Sequence, residues 1–514
     1  MSSRSSINAD ILIVGAGPTG LVLALWLTRL GVGVRIIDKT SEAGTTSRAI
    51  AVQARTLELY NQLGIAAEVL ERGRKIAAVN LWVKGKRAAQ AVFGELGEGI
   101  SRFPYPLDFP QDEHERLLID HLAKSGVHVE RRTELLAFED QGERVLARLK
   151  RPDGSEEACE AAYLAGCDGA HSRVRESLGI GFPGGIYSHL FYVADAEGSG
   201  PAMNGEVHVS LERTDFLAVF PMKGEGRARL VGTVRDDPNA PRDQLEWNDV
   251  NKAVIESMQI HVERVNWFST YRVHHRVAAC FRQGRAFLLG DAAHIHSPVG
   301  GQGMNTGIGD AVNLAWKLAA VVRGRADASL LDSYEPERIA FARRLVATTD
   351  QAFMAVTSPT FLARNIRLRV VPLVFPLAFK FKALRRYLFR TVSQTLVNYR
   401  GGPLSEGRAG AVYGGDRLPW VKAASSVEQD NFAPLASLDW QVHIYGEASP
   451  RVQQLCKRRN LPLHIFARRP EVDRAGLQRD ACYLVRPDGY VALAHPGAET
   501  SRLDSYLNRR KLVL

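Results

Sequence analysis

Apolar residues form short runs at the start of the chain, and their spacing predicts a strand, a helix and a second strand. Ile11 to Val14 is an unbroken apolar run typical of a buried parallel strand. A helical pattern follows from Leu21 to Leu30, and Gly31 is placed to end that helix. A second apolar run, Val34 to Ile37, leads to Asp38. The order predicts a βαβ unit.

The pattern then changes to short β-rich segments, from about Lys75 to Phe103 and from about Gly181 to Trp267. These segments, which include VNLWVKG, GEVHVSL, FLAVFPM and ARLVGTV, predict an antiparallel sheet inserted into the α/β domain. The α/β pattern returns at Ala286 to Leu289 and continues into a helix with one apolar face. That face comprises Ile308, Val312, Ala315, Ala319 and Val322.

The last third of the chain contains two further regions. Phe361 to Arg400 mixes apolar and basic residues, which favours a helix pair packed on the main body, with association at a membrane surface as the alternative. After Gly401-Gly-Pro403, the segments WQVHIYG, PLHIFAR and ACYLVRPDGYVAL predict strands around a helix from Pro450 to Arg459. The chain is therefore divided into a discontinuous α/β domain (1–74, 104–180 and 268–350), an inserted sheet domain (75–103 and 181–267), a helical connection (351–400) and a small α/β domain (401–514).

Composition and charge indicate a globular protein and bear on which ligands it could bind. The 514 residues are 45% hydrophobic and 24% charged, which is typical of a globular protein with two or three domains. The net charge of +10 would suit nucleic acid or anionic lipid, but it would also attract an anionic dinucleotide or an aromatic acid. Because the basic residues are dispersed, we expect no nucleic-acid partner.

The cysteines and the chain start indicate a cytoplasmic protein. Five widely spaced cysteines contain no CxxC pair, so we expect buried free thiols in a reducing compartment. The first nine residues are polar and do not resemble a signal peptide. The longest apolar stretch, near Val370 to Phe379, is interrupted by prolines and too short to span a bilayer.

The first glycine-rich motif, GAGPTG at residues 15–20, lies between the first strand and the first helix. Gly15 permits a tight turn, Gly17 lets the backbone approach a pyrophosphate, and Gly20 lets the helix pack closely on the sheet. The helix N-terminus offers free N–H groups to phosphate, and Asp38 can accept hydrogen bonds from ribose hydroxyls. The motif in this context predicts dinucleotide binding.

The second motif follows the strand at Ala286 to Leu289. It reads GDAAH at residues 290–294 and continues as SPVGGQGMNTG to Gly307. So many glycines before a helix indicate that backbone N–H groups face something flat or anionic, and a reduced flavin ring is both. The carboxylate of Asp291 could accept hydrogen bonds from ribitol hydroxyls.

Together with Cys167-Asp168-Gly169, Ser172 and Arg175, these motifs resemble those of the class A flavoprotein aromatic hydroxylases, the para-hydroxybenzoate hydroxylase type. They occur in that family's order over roughly residues 10 to 350. The resemblance implies FAD as cofactor and NADPH or NADH as co-substrate. The residues implied to hold FAD are Gly15, Gly17, Pro18, Thr19, Gly20, Asp38, Lys39, Arg48, Gln111, Asp168, Asp291, Pro298, Gly301, Gly303, Met304 and Asn305.

The fold implied is α/β, or α+β overall: a Rossmann-like FAD-binding domain, an inserted antiparallel substrate-binding sheet, and a small C-terminal domain. The C-terminal domain resembles the thioredoxin-like domain of the phenol and polyketide hydroxylase branches. Since it has no CxxC pair, we expect a structural role or an oligomer interface. The protein is expected to be a monomer or a homodimer.

Simpler roles remain open for several of these residues. Asp168 could cap a helix that starts near Ser172. Arg48 and Arg55 could form surface salt bridges. His294 and His296 could bind a metal or act as a base, but packing or a hydrogen bond to the loop is favoured.

The resemblance implies that NAD(P)H reduces FAD, that reduced flavin captures O2, and that a flavin hydroperoxide hydroxylates a phenolic ring. The substrate pocket should then be apolar and closed. The strand from Phe216 to Met222, with Phe220 and Pro221, is the candidate pocket wall, although it could equally be ordinary core. A base or water chain could help deprotonate the phenol, but the sequence names no residue for this role.

Three other functions are compatible with the motifs. One is a different flavin oxygenation, such as epoxidation or Baeyer–Villiger insertion, on a polyketide or quinone-like substrate; halogenation is disfavoured because no WxWxIP element is present. Another is a quinone-pathway hydroxylase at a membrane surface. The third is a flavin-binding sensor without turnover.

Overall fold

The structure is a computed structural model that describes residues 9–44, 49–211, 216–234, 245–297, 300–357, 360, 365, 381–425, 429–497 and 500–513. Up to residue 180 the elements are β1 (Ala9–Val14), α1 (Pro18–Arg29), β2 (Val34–Asp38), β3 (Ala51–Val52), α2 (Ala54–Leu63), α3 (Ala66–Arg72), β4 (Arg74–Lys75), β5 (Ala78–Val83), β6 (Lys86–Val92), α4 (Phe93–Leu96), β7 (Leu107–Asp108), α5 (Gln111–Lys124), β8 (Val129–Arg131), β9 (Glu134–Asp140), β10 (Val145–Lys150), β11 (Glu156–Gly166) and α6 (Arg173–Ser177).

The middle of the chain is mostly strands: β12 (Gly184–Ser199), β13 (Val207–Leu211), β14 (Phe216–Pro221), β15 (Arg227–Val234), α7 (Ala253–Ser257), β16 (His261–Val277), β17 (Arg282–Gln283), β18 (Ala286–Leu288) and β19 (His294–Ile295). The remainder comprises α8 (Gly303–Val322), α9 (Tyr334–Thr357), α10 (Lys382–Val392), β20 (Glu406–Ala409), β21 (Val412–Tyr413), β22 (Gln441–Tyr445), α11 (Pro450–Arg458), β23 (Leu463–Phe466), α12 (Pro470–Arg474), β24 (Cys482–Val485), β25 (Val491–His495) and α13 (Thr500–Arg509).

The first eight-stranded sheet brings the glycine-rich loops together. Its order is β17-β18-β11-β1-β2-β8, and β10 and β9 extend from β11. Strands β18, β11, β1, β2 and β8 are parallel, and α1 packs against α8 and α5. Because parallel strands end at one edge, the loops after β1, β11 and β18 meet there, where open α/β sheets bind ligands.

The second eight-stranded sheet has the order β19-β16-β12-β15-β14-β13-β5-β6. Its neighbours are antiparallel, as expected, except for β5 and β13, which are parallel. One face packs against α7, and the other carries the aromatic side chains discussed below. Strand β16 continues to Val277, so the boundary placed between residues 267 and 268 falls inside a strand.

A three-stranded sheet of order β3-β7-β4 was not predicted from the sequence. Its strands are only two residues long, too short to leave a periodic pattern. The sheet nevertheless fixes the segment after residue 48 against the strand before α5. It therefore supports the part of the chain that faces the second glycine-rich loop.

The C-terminal region forms a six-stranded sheet of order β21-β20-β25-β24-β22-β23. Strands β22 to β25 and helix α11 lie where the alternating segments predicted them. Of the predicted helix pair over 361–400, α10 is described, while residues 366–380 lie outside the described part of the chain. All five cysteines are described and form no disulfide. Of the helices that the structure describes, none has the length and apolar character needed to cross a membrane.

Candidate active site

The first loop shows two different requirements for glycine. Gly15 has a φ of +102°, and a Cβ there would lie 2.3 Å from the carbonyl oxygen of Cys167. A Cβ on Gly20 would lie 2.0 Å from the carbonyl oxygen of Gly15. At Gly17, by contrast, a Cβ would meet no atom within 4 Å. Gly15 and Gly20 are therefore required by packing, whereas Gly17 borders open space at the start of α1.

This space has the properties of a phosphate site. Gly17 is the N-cap of α1, and no side chain caps the helix, so its first N–H groups are free for an anion. Pro18 and Thr19 begin the helix and are half-buried. The residues at this end of α1 therefore fit the pyrophosphate of a dinucleotide.

Asp38 fixes the first loop. Its Oδ2 accepts a hydrogen bond from the Ala16 N–H (2.7 Å), and its Oδ1 accepts from the N–H and hydroxyl of Thr40 (2.8 and 2.6 Å). Since a carboxylate oxygen has two lone pairs, Oδ2 can still accept from a ribose hydroxyl. The neighbouring Lys39 is exposed.

The two glycine-rich loops touch each other through Thr19. A Cβ on Gly290 would lie 2.7 Å from the Thr19 hydroxyl, and one on Gly307 would lie 2.3 Å from it. Thr19 therefore packs between the start of the second loop and the first turns of α8. This contact places both predicted motifs in one site, although they are more than 250 residues apart in the chain.

The second loop ends at an uncapped helix. No side chain caps the N-terminus of α8, and Gly303 and Met304 are half-buried there. Gly301 has a φ of +61°, and a Cβ on it would lie 2.8 Å from the Ala51 Cβ. Asp291 is exposed beside the loop. Arg48 and Pro298, also predicted to contact FAD, lie outside the described residues.

Two of the predicted FAD contacts have side chains engaged by the protein itself. The buried Asn305 amide donates to the carbonyls of Ala51 and Gly301 (both 2.8 Å) and accepts from the Gln53 N–H and the Thr56 hydroxyl. The Gln111 amide accepts from the Ala49 N–H (3.3 Å) and donates to Glu115 (2.8 Å).

Asn305 holds the second loop in place, and Gln111 holds the segment around Ala49. All donors and lone pairs of the Asn305 amide are used by these hydrogen bonds. Asn305 would therefore support a ligand through the loop it orders rather than through its side chain.

Asp168 supports the start of α6, whose N-cap is Ser172. Its carboxylate accepts from the Ser172 hydroxyl (2.6 Å) and the Val174 N–H (3.1 Å), at the start of α6. Burial raises the pKa of Asp168, while the hydrogen bond from Ser172 opposes this shift. On the same helix, Arg175 donates to the Ala292 carbonyl (2.9 Å). The loop after β11 is thereby tied to the second loop.

His294 is held by a hydrogen bond to a buried carboxyl group, Asp310, which was not identified from the sequence. Its Nε2 lies 2.7 Å from Asp310 Oδ2, which also accepts from the Gly290 N–H (3.0 Å). Arg338 Nε donates to Asp310 Oδ1 (2.6 Å). Burial disfavours the Asp310 carboxylate, but Arg338 and His294 outweigh it and lower the pKa of Asp310. The only sequence signal was a charged residue inside the glycine-rich and apolar stretch that forms α8.

The other histidine and Arg55 also have internal roles. His296 Nδ1 donates to the Ser297 carbonyl (2.8 Å), and burial lowers the pKa of His296 to about 4. The described residues contain no cluster of histidine, cysteine or acidic side chains that could hold a metal ion. The surface role considered for Arg55 is wrong: Arg55 is buried, pairs with Glu58 (3.0 Å) and donates to the Asp488 carbonyl.

A row of side chains crosses the second sheet on the face away from α7. Phe220, Arg229, Asp195 and Trp267 are register partners on four neighbouring strands, so they share this face. Arg229 donates to both oxygens of Asp195 (2.6 and 2.8 Å) and to the Ala49 carbonyl (3.3 Å). The row therefore faces the segment that supports the second loop.

Phe220 and Pro221, the two residues predicted to form the pocket wall, lie on opposite faces of the second sheet. Phe220 belongs to the row, whereas Pro221 alternates to the opposite face, with Leu217 and Val219 on the side of α7. Of the pair, only Phe220 can border a pocket on the loop side. Arg229 and Trp267 had not been identified from the sequence.

Comparisons with known proteins place this arrangement in a family. The family model described as "FAD binding domain" matches residues 8–349. The 6-methylpretetramide 4-monooxygenase of Streptomyces rimosus is 37% identical over 413 residues, which are 77% of this chain and 71% of that protein. The chain belongs to the class A FAD-dependent aromatic hydroxylases.

Solved structures agree over nearly the whole chain. The OxyS anhydrotetracycline hydroxylase from Streptomyces rimosus is 28% identical and covers 99% of both chains with a TM-score of 0.77. The flavin-dependent monooxygenase PieE, in complex with FAD and substrate, has a TM-score of 0.82 at 21% identity and covers 99% of this chain and 100% of its own. The mixed α/β fold and the predicted family are thereby confirmed.

Family membership also confirms the predicted class of activity. The protein is an FAD-dependent monooxygenase, and NAD(P)H and O2 as co-substrates fit the family. When bound, FAD supplies the redox chemistry that activates O2, and the protein supplies binding and orientation.

Proposed function

We propose that the enzyme hydroxylates a phenolic ring of a multi-ring aromatic compound. The ring would lie between the second glycine-rich loop and the row formed by Phe220, Arg229, Asp195 and Trp267. The observation that carries the proposal is this row, because it places two aromatic side chains opposite the segment on which the loop rests.

Two features support this pocket. Phe220 and Trp267 are half-buried and pack beside Phe191, Val193 and Val231. The face around the paired Arg229 and Asp195 is therefore largely apolar. An apolar site of this kind buries most of an aromatic ligand and excludes water. The relative active on 6-methylpretetramide and the anhydrotetracycline hydroxylase, both named for tetracycline-type compounds, support the multi-ring class.

The same proposal assigns FAD to the loops at the sheet edge. Gly17 and the start of α1 would receive the pyrophosphate, Asp38 the adenosine ribose, and the N-terminus of α8 the flavin end. Residues 1–74, 104–180 and 268–350 would form the FAD-binding domain, and 75–103 and 181–267 the substrate-binding domain. Since β16 is continuous to Val277, the second sheet would also contribute residues 268–277.

The test is turnover of a phenol panel that includes single-ring phenols and hydroxyanthraquinones, with NADPH and with NADH. NAD(P)H consumption, hydrogen peroxide and product would be measured together under 18O2. We expect one labelled hydroxyl oxygen in a multi-ring product. A labelled lactone or epoxide would replace hydroxylation by another oxygenation, and exclusive use of single-ring phenols would refute the multi-ring class.

Two neighbouring variants sharpen this test. Phe220→Ala should weaken binding of the turned-over phenol about tenfold, since a buried aromatic contact is lost. Pro221→Ala, one residue away on the opposite face, should leave binding within about twofold. Equal effects of the two substitutions would show that the row formed by Phe220, Arg229, Asp195 and Trp267 does not line the substrate pocket.

A further inference from the structure

Asp108 is a buried carboxyl group for which the described part of the chain supplies no hydrogen-bond partner. Its side chain is 2% exposed, and neither carboxyl oxygen makes a hydrogen bond to any described residue. Buried polar groups are nearly always hydrogen-bonded, because leaving one unmet is costly. An exception of this kind requires a physical reason.

The position of Asp108 in the three-stranded sheet places it beside the second glycine-rich loop. Asp108 is on the central strand β7, where its register partners are Ala51 on β3 and Arg74 on β4. Partners in register lie on one face of a sheet with their Cβ atoms about 5 Å apart. Ala51 in turn touches Gly301 of the second loop. The flanking Leu107 and Phe109 are buried in the core, which places Asp108 on the opposite face.

Two cations face this carboxyl group. Arg229, on β15, is already paired with both oxygens of Asp195, and among the described residues Arg74 donates to the Met222 carbonyl alone (3.4 Å). Burial raises the pKa of Asp108 well above its usual range, although Arg229 and then Arg74 oppose the shift. In the protein without substrate, Asp108 therefore holds its proton at pH values where an exposed aspartate is ionised.

We propose that the Asp108 carboxyl group binds a ring hydroxyl of the aromatic substrate. The inference rests on the proposed function, since it concerns the same pocket between the second loop and the row with Arg229. A protonated carboxyl has one donor and one acceptor oxygen. It can accept from a phenolic hydroxyl and donate to a neighbouring oxygen, which suits a ring with a hydroxyl beside a carbonyl.

The experiment compares a hydroxyanthraquinone with its methyl ether, because the ether cannot donate a hydrogen bond. Dissociation constants would be measured from flavin absorbance changes for the FAD-bound wild type, Asp108→Asn and Asp108→Ala. Asp430→Asn is the matched control: Asp430 is also buried, but it accepts from Trp420, Phe432 and Ala433 in the C-terminal region. FAD content and melting temperature show whether each variant is folded.

We expect the wild type and Asp430→Asn to prefer the hydroxyl compound by about tenfold or more, and both Asp108 variants to reduce the preference to about twofold or less. An unchanged preference in a folded Asp108 variant would overturn the inference. So would a wild type that is indifferent to the hydroxyl group.

The result is distinguishable from failure of the proposed function. Hydroxylation of the phenol panel with an unchanged preference in Asp108→Asn would keep the function and remove Asp108 from it. Loss of preference without any hydroxylated product would keep the hydroxyl site and remove the reaction.

Discussion

Two buried carboxyl groups, those of Glu337 and Asp108, differ in the number of hydrogen bonds that they accept from the protein. Glu337, on α9, accepts hydrogen bonds from Lys317 (2.8 Å), Arg486 (2.7 Å) and Asn313 (2.7 Å). Asp108 accepts none from the described residues. Glu337 joins α8 and α9 to the C-terminal sheet, whereas Asp108 lies beside the second glycine-rich loop. From these two groups we infer that the satisfied carboxyl group supports the scaffold and the unsatisfied one serves ligand binding.

Gly15 and Gly17 of the first loop show the same difference. The space around a Cβ on Gly15 is filled by the protein, and the space around a Cβ on Gly17 is open. In both comparisons, the site is recognised by what the protein has left incomplete. We expect positions whose surroundings the protein fills, such as Gly15 and Glu337, to control folding. We expect positions left open or without a partner, such as Gly17 and Asp108, to control ligand binding.

The largest expected effect is at Glu337. Glu337→Ala would leave Lys317 and Arg486 buried without their shared partner, so we expect the free energy of unfolding to fall by about 3–5 kcal/mol. Urea denaturation with FAD bound measures this. Glu471→Ala, which removes an exposed pair with Arg474, should change it by less than about 1 kcal/mol. A comparable loss from both substitutions would contradict the account.

The acid response of Glu337 gives a second test. Burial disfavours its carboxylate, but Arg486 and Lys317 outweigh burial and lower the pKa of Glu337 to about 2. The unfolded value is about 4.3, so the stabilisation is present above that pH and is lost as pH falls toward 2. Glu337→Gln should therefore show a shallower loss of stability between about pH 5 and pH 2. Parallel curves for both proteins would show that this carboxylate is not responsible.

A pair of alanine substitutions tests the glycines. Gly15→Ala should lower the free energy of unfolding by about 1–3 kcal/mol, because of its positive φ and the contact with Cys167. Gly17→Ala should leave the FAD-free protein unchanged but weaken FAD binding at least about tenfold, since its methyl group enters the phosphate space. Calorimetry without FAD and FAD titration separate the two effects. Weak FAD binding with normal stability in Gly15→Ala would contradict the assignment of Gly15 to folding and of Gly17 to FAD binding.

The parts of the fold predicted from sequence are those whose signals are local. The runs at Ile11 to Val14 and Ala286 to Leu289, and the glycines beside them, place two loops at one edge of a parallel sheet. The strands around Gln441–Tyr445 were equally visible as alternating segments. Each of these signals spans only a few residues and does not depend on distant partners.

The remainder depends on contacts between distant segments. Asp108 and Arg229 come together only because β7 and β15 pack across two sheets, and neither strand shows which side chain will lack a partner. Asn305 was expected at the flavin because it lies in the loop motif. That contact stays a prediction, but the Asn305 side-chain amide is bonded to residues 51 to 56, more than 240 positions earlier. A single sequence contains no pattern that specifies such partners.

The melting temperature of Asp108→Asn, measured without substrate at neutral pH, shows whether the Asp108 carboxyl group supports the fold or is reserved for a ligand. Because the folded-state pKa of Asp108 is raised, the unfolded chain ionises first as pH rises, and this ionisation favours unfolding. Asn cannot ionise, so we predict that Asp108→Asn melts at the same or a higher temperature than the wild type. A clearly lower melting temperature would show that Asp108 supports the fold. The inference that this unsatisfied carboxyl group serves ligand binding would then be wrong.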